Sequence, residues 1–276
     1  MKFQVGGISL YLKQYAFKSY YLFISLCFNR NNQNHHEKIF FALILVLVCS
    51  NLSSQKLFKA VDKGDAQKVK ALLEKGADPN VYTGDGVFPL WRATANNNQE
   101  ITKLLLENGA TVDLENKTSS GSLTSLIYPS QEGYFEIVKL LVDHGADVNY
   151  NAFKGFTPIR IAARNGHLNI IKYLAEHGAK IDVKAEDGAT PLEHAASKGH
   201  YDVVRFLIDK GANVNTVDKE GDFPLGEAAK YGYTEIMELL IRNKADLSLK
   251  NASGKTALDL AKERGQKRAV DLLKNQ

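Results

Sequence analysis

Gly188 to Glu220 reads GATPLEHAASKGHYDVVRFLIDKGANVNTVDKE, a stretch of 33 residues. Thr190 precedes Pro191, and a Thr hydroxyl that can cap a helix, followed by a Pro whose fixed φ suits the first turn, is a helix start. The helix it opens is expected from Pro191 to about Lys198. Gly199 stops it, because glycine enters the left-handed conformation without a Cβ penalty. Val203, Val204, Phe206 and Leu207 form a second apolar-periodic run, expected as a helix ending at Gly211. Asn213 to Asp218 then reads as a turn.

A single pair of short helices cannot bury its apolar face, so this unit must stack on copies of itself. The copies are there. The Gly-Ala pair that closes each second helix recurs at Gly76, Gly109, Gly145, Gly178 and Gly211, at intervals of 33, 36, 33 and 33 residues. Asn243-Lys244-Ala245 replaces it once more, with Ala245 again 33 residues after Ala212. This period, with Thr-Pro-Leu near the start of the unit, resembles the ankyrin repeat, and the resemblance covers Gln55 to Gln276. It implies an all-α solenoid of stacked helix-turn-helix units with β-hairpin tips, about seven repeats including two caps.

Charge separates the chain into two parts. Residues 1–55 hold Lys2, Lys13, Lys18, Arg30 and Lys38 against Glu37 alone, a net of +4, which is the net charge of the whole chain. The remainder therefore carries 30 charges of each sign, since 35 less 5 and 31 less 1 both leave 30. A balanced repeat domain offers no single-sign face to steer a polyanion, so no nucleic-acid partner is expected. Both cysteines, Cys27 and Cys49, also fall in the leader, leaving the repeats no thiol for a disulfide, a metal or a nucleophile.

The leader, residues 1–54, contains the apolar run IFFALILVLVC at 39–49, with Lys38 before it and Ser50, Asn51, Ser53 and Ser54 after it. A spanning helix needs about 20 residues, so this run better fits the apolar core of a secretion signal. Its distance from Met1 leaves three alternatives: an upstream start added to a shorter exported protein, a retained membrane anchor, or lipidation at Cys49. Leu47-Val48 before Cys49 lacks the small residue usual at a lipidated site. A plain extension on a cytoplasmic protein is the bland alternative. Export, to the periplasm or medium, is the expectation, with a mature start between Ser50 and Lys56.

Several repeats depart from the pattern. Gln55 to Thr83 starts directly with a helix, as an N-terminal cap would, and Thr256-Ala257-Leu258 opens a charged last helix suited to the C-terminal cap. Asn97 stands where other repeats have Gly, and Asn is the next best residue there. In the third repeat the three-residue insertion precedes the first helix and lengthens the tip NKTSSGSL. Pro129 in that helix occupies the place of Ala162 and Ala195, and is expected to bend or shorten it.

No catalytic, cofactor or metal constellation is found. No nucleophile has an oriented base, and no phosphate or calcium loop is present. In the family the resemblance points to, a His after the helix-closing Gly bonds the backbone of the neighbouring unit, a role this implies for His167 and His200. His144 and His177 are one period apart and would need two further ligands to hold a metal. Asn116-Lys117-Thr118 and Asn251-Ala252-Ser253 match a glycosylation acceptor, a match that arises readily by chance. Where the family usually has His after Thr-Pro-Leu, this chain has Arg160 and Glu193.

The resemblance implies a monomeric, non-catalytic module that binds a partner protein on a concave surface of tips and first helices. An inhibitory or accessory enzyme subunit and a membrane-tethered scaffold are alternatives. Large apolar residues and arginines at exposed repeat positions would mark the surface. These are Trp91, Tyr128, Phe153, Phe156, Arg160 and Arg164, in repeats two to four. Replacing Phe153 and Arg164 is expected to weaken binding, and replacing Glu186 and Lys219 to do little.

Overall fold

Thr190 is the N-cap that its sequence predicts: its side chain accepts from the Glu193 amide, and Gly199 closes the helix at φ 77°. The same chemistry, with variations, builds every unit in the computed structural model, which describes residues 53–116, 123–152 and 155–276. Residues 1–52 of the leader, the tip residues 117–122 and Phe153 lie outside the described residues, and so do the expectations placed on them.

Among the described residues there are fourteen helices, two per repeat, giving seven repeats. The first helices are α1 (53–62), α3 (Pro89–Ala95), α5 (Ile127–Glu132), α7 (Pro158–Arg164), α9 (Pro191–Lys198), α11 (Pro224–Tyr231) and α13 (Ala257–Glu263). The second helices are α2 (Ala66–Glu74), α4 (Gln99–Glu107), α6 (Phe135–Asp143), α8 (Leu168–Glu176), α10 (Tyr201–Asp209), α12 (Thr234–Arg242) and α14 (Lys267–Lys274). The all-α solenoid is thus as the sequence predicts. Its tips are hairpin-like turns with no strand ladder among the described residues. The described tips are closed at the base by a backbone bond, as from Ala185 N to Ala189 O or Asp218 N to Asp222 O.

The core follows from the two helix types. Second helices bury Ile170, Ile171 and Leu174, then Val203, Val204 and Leu207, then Ile236, Met237 and Leu240, one set per repeat. First helices bury alanines, including Ala162, Ala163, Ala195, Ala196, Ala228 and Ala229. Small residues allow close approach, and from α5 onward the first helices lie closer together than the second helices do. A stack tighter along one row curves toward that row, so the first helices line its inner face. Among the first-helix pairs from α3 onward, α3 and α5 approach least.

That loose junction traces to Pro129. Rather than bending the helix, Pro129 delays its start: α5 begins at Ile127, two places after the position held by Pro158 and Pro191. Pro129 becomes the third helical residue, where a missing N–H removes no intrahelical bond. The helix is shortened to 6 residues, and the Ser130 hydroxyl donates back to Leu126 O at 2.7 Å.

Adjacent repeats are tied by polar contacts at the same period. Asn80, Asn149 and Asn215 each donate to a carbonyl and accept an amide from the next repeat, as in Asn149 Nδ2 to Gly178 O and Lys180 N to Asn149 Oδ1, both 2.9 Å. Asp113 and Asp182 stand at the alternate places and only accept, because a carboxylate has no donor. His167 Nε2 lies 2.8 Å from Gln131 O, and His200 Nε2 lies 3.1 Å from Arg164 O, the backbone role their positions imply. A carbonyl cannot donate, so each Nε2 carries the proton. Tyr233 and Gln266 take the equivalent places one and two periods later, with a Gln266 contact to Lys230 O at 3.5 Å. Asn97 adopts φ 52° and Lys244 φ 67°, so both replacements preserve the left-handed turn.

Candidate functional site

The inner face is where side chains depart from the repeat. In the slot after the buried Leu90, Leu126, Ile159, Leu192 and Leu225 stand Trp91, Ile127, Arg160, Glu193 and Gly226. A residue in this slot is directed by the first turn of its helix toward the neighbouring repeats. Its chemistry therefore sets the local character of the face.

At the α3–α5 junction the face is aromatic. Trp91 and Tyr128 are half-buried with ring centroids 6.4 Å apart, and Tyr128 meets Tyr134 edge-on at 6.4 Å. The structure thus brings together Trp91 and Tyr128, which the sequence placed at comparable first-helix positions of successive repeats. Both rings keep part of their surface exposed. The Trp91 indole N–H is buried without a hydrogen-bond partner. Arg92 stands beside it, 5.6 Å above the Phe58 ring and 3.4 Å from Asp62. Burial, then the nearby Glu132, raises the Tyr128 phenol above its ordinary value.

One repeat further on, the face becomes cationic but closed. Arg160 is a correction to the sequence reading: it is only 5% exposed. Its guanidinium lies 5.0 Å above the half-buried Phe156 ring, 3.9 Å from Asp187, and donates to His194 Nε2 at 2.9 Å. These partners consume the group a partner protein would need. Accepting from Arg160 requires Nε2 of His194 to be bare, and burial, followed by the charge of Arg160, lowers the His194 pKa to about 4. Phe156 and Arg160 form a unit, while Arg164 remains exposed with its carbonyl bound to His200.

At repeats five and six the face is acidic, which the sequence reading missed. Glu193 is only 5% exposed, and its Oε2 has no hydrogen-bond partner. Burial first, then Asp218, Asp222, Glu227 and Asp187 in that order, raises its pKa to about 8. Glu227 is itself buried and holds Lys230 at 2.9 Å. Burial also raises Asp222 above the usual carboxylate range. The available signal was Glu193 in a slot that the repeat buries, one period from a glycine that brings no base to it.

The remaining candidates have structural roles. His144 and His177 each turn Nδ1 to a carbonyl of their own helix, Leu140 O and Tyr173 O, at 2.8 Å. Among the described residues no group of three or more His, Cys, Asp or Glu side chains is arranged to hold a metal ion. Asn116 is buried with its amide oxygen accepting from Leu123 N at 2.9 Å, so it closes a tip and presents no glycosylation acceptor. Nor, among the described residues, is any helix long and apolar enough to cross a membrane.

Comparison with known proteins agrees with this architecture. Models described as "Ankyrin repeats (3 copies)" match residues 57–152 and 149–218, and one described as "Ankyrin repeats (many copies)" matches 208–261. An ankyrin repeat protein of Rickettsia bellii (strain RML369-C) is 31% identical over 112 residues, 40% of this chain and 41% of that protein. One from Fowlpox virus (strain NVSL) is 35% identical over 108 residues, 39% of this chain and 14% of its own length. The human "Ankyrin repeat, SAM and basic leucine zipper domain-containing protein 1" is 34% identical over 111 residues, 40% of this chain and 23% of its own. The chain thus spans less than half the length of each of these relatives. With the family models covering most of its length, the chain belongs to the ankyrin repeat family, whose repeats form a protein–protein interaction module.

Proposed function

We propose that the chain holds a partner protein against its inner face, with the Trp91–Tyr128 pair as the principal anchor, and that it acts by complementarity without bond-making. The observation that carries this reading is the aromatic patch at the loose α3–α5 junction. Two large half-buried rings lie together there, their centroids 6.4 Å apart. Buried aromatic anchors with a polar handle dominate binding energy at protein interfaces. Immobilised full-length chain, wild type against Trp91→Ala with Tyr128→Ala, tests it. A protein retained stoichiometrically by the wild type should be lost from a variant whose circular dichroism and melting are unchanged. Equal retention by both refutes the anchor.

The apolar run at 39–49 supports a place outside the cytoplasm for this activity. Mass spectrometry of the N-terminus should then find a mature start between Ser50 and Lys56. An intact N-terminus in the cytosolic fraction would overturn export.

A further inference from the structure

Glu193 has Arg160 in the same slot one repeat earlier and Gly226 one repeat later. The basic groups near it are already engaged: Arg160 by Asp187 at 3.9 Å and by His194 at 2.9 Å, and Lys230 by Glu227 at 2.9 Å. Gly226 has no side chain to offer. Oε2 is therefore left buried and unpartnered, within electrostatic reach of Asp187 on its own tip, Asp218 and Asp222 on the next tip, and Glu227 on α11.

A buried carboxyl without a donor is unfavourable by desolvation, and four acidic neighbours make its charged form more so. One added cation relieves both terms. Asp187 is exposed, and Asp218 and Asp222 are half-exposed, so the acidic cluster beside Glu193 reaches solvent. A metal ion is a poor occupant, because these carboxyls lack the convergence a metal needs. A guanidinium suits it better, being weakly hydrated, planar and able to donate to two carboxylates at once.

We propose that the notch around Glu193 receives an arginine side chain of the partner protein, so that the inner face selects a partner with a basic segment. This rests on the reading of that face as a protein-binding surface and adds the partner's chemistry. It also divides the surface: an aromatic anchor in repeats two and three, and a charge-selective notch in repeats five and six.

The test is calorimetric titration of the full-length chain at neutral pH with an end-blocked oligoarginine peptide. Glu193→Gln should weaken binding at least tenfold, and Asp222→Asn at least threefold. Glu186→Gln removes the same charge from the exposed tip and should change affinity less than threefold. Glu193 is largely protonated near neutrality and must ionise to hold a cation. Wild-type binding should therefore release a proton, seen as a dependence of the heat on buffer ionisation enthalpy, and Glu193→Gln should not. Equal losses from Glu193→Gln and Glu186→Gln, or no proton release from the wild type, overturn the notch. Should Glu193→Gln melt early, Asp222→Asn against Glu186→Gln decides by the same criterion. Because the peptide assay needs no natural partner, failure of the notch is distinguishable from failure of the aromatic anchor.

Discussion

Replacing Glu193 by Gln should make the protein more stable near neutral pH and leave it nearly unchanged in mild acid. Its folded pKa of about 8 lies above the ordinary 4.5, so between those values the native state holds a proton that the unfolded state has lost. Stability from this group is fully present below pH 4.5 and disappears as pH rises through about 8. At about 1.4 kcal/mol per pKa unit, the linkage amounts to about 3 kcal/mol between about pH 5 and about pH 7.5. His194 acts in the opposite sense: its pKa, lowered from 6.5 to about 4, gives stability that is present above 6.5 and lost as pH falls through 4. The two slopes oppose each other between 4.5 and 6.5, and above that range Glu193 acts alone. Glutamine reproduces the shape of the protonated carboxyl and leaves His194 in place, so subtracting variant from wild type isolates Glu193. Urea denaturation followed by far-ultraviolet circular dichroism at the two pH values measures the difference. A change in the wild-type-to-variant gap below about 1 kcal/mol, or one of opposite sign, would show that Glu193 is not held in a proton-retaining site.

Leu207 is fully buried on α10, and Leu207→Ala should cost about 2 to 5 kcal/mol, with a loss below about 1 kcal/mol showing the core assignment to be wrong. Gly166 and Gly178 share a left-handed φ, 79° and 88°, but a Cβ on Gly166 would meet His200 Nδ1 at 2.7 Å while one on Gly178 meets nothing within 4 Å. Gly166→Ala should therefore lose at least about 1 kcal/mol more than Gly178→Ala in the same denaturation assay, and equal losses would remove the ring from the account. Lys244→Gly relieves a side chain at φ 67° and should raise stability by about 0.5 to 1 kcal/mol, a prediction that a measured loss contradicts.

What could be read in the sequence was the chemistry that a residue performs on its immediate neighbours. Thr190 caps three residues ahead, Gly199 ends its helix, and Asn97 turns left-handed, each from local geometry alone. The period then placed these units in a stack without any knowledge of contacts. Burial in the inner slot was harder to read, because it depends on residues a repeat away. Arg160 looked exposed until Asp187 and His194, 27 and 34 positions later, were seen to enclose it. Pro129 looked like a defect in mid-helix, since nothing local says that the helix will start later and absorb it. The Asn80, Asp113, Asn149, Asp182, Asn215 series was periodic in the sequence, but its partners are backbone atoms, which a sequence does not distinguish.

The inner slot varies because the stack does not depend on it. Leu192 before Glu193 is buried, as are Ala195 and Ala196 after it, and the equivalent residues around Arg160 and Gly226 are buried too. Each repeat meets only its neighbours, so an unfavourable group in one slot is confined to one or two interfaces and is supported by the burial on either side. That is the condition under which an unpartnered carboxyl can persist in a folded chain. A hydrophobic residue at position 193 would pack with less strain, and a histidine would match the family pattern. Neither would hold a proton at neutral pH that the proposed guanidinium could displace, so Glu193 makes this slot one whose strain binding would relieve.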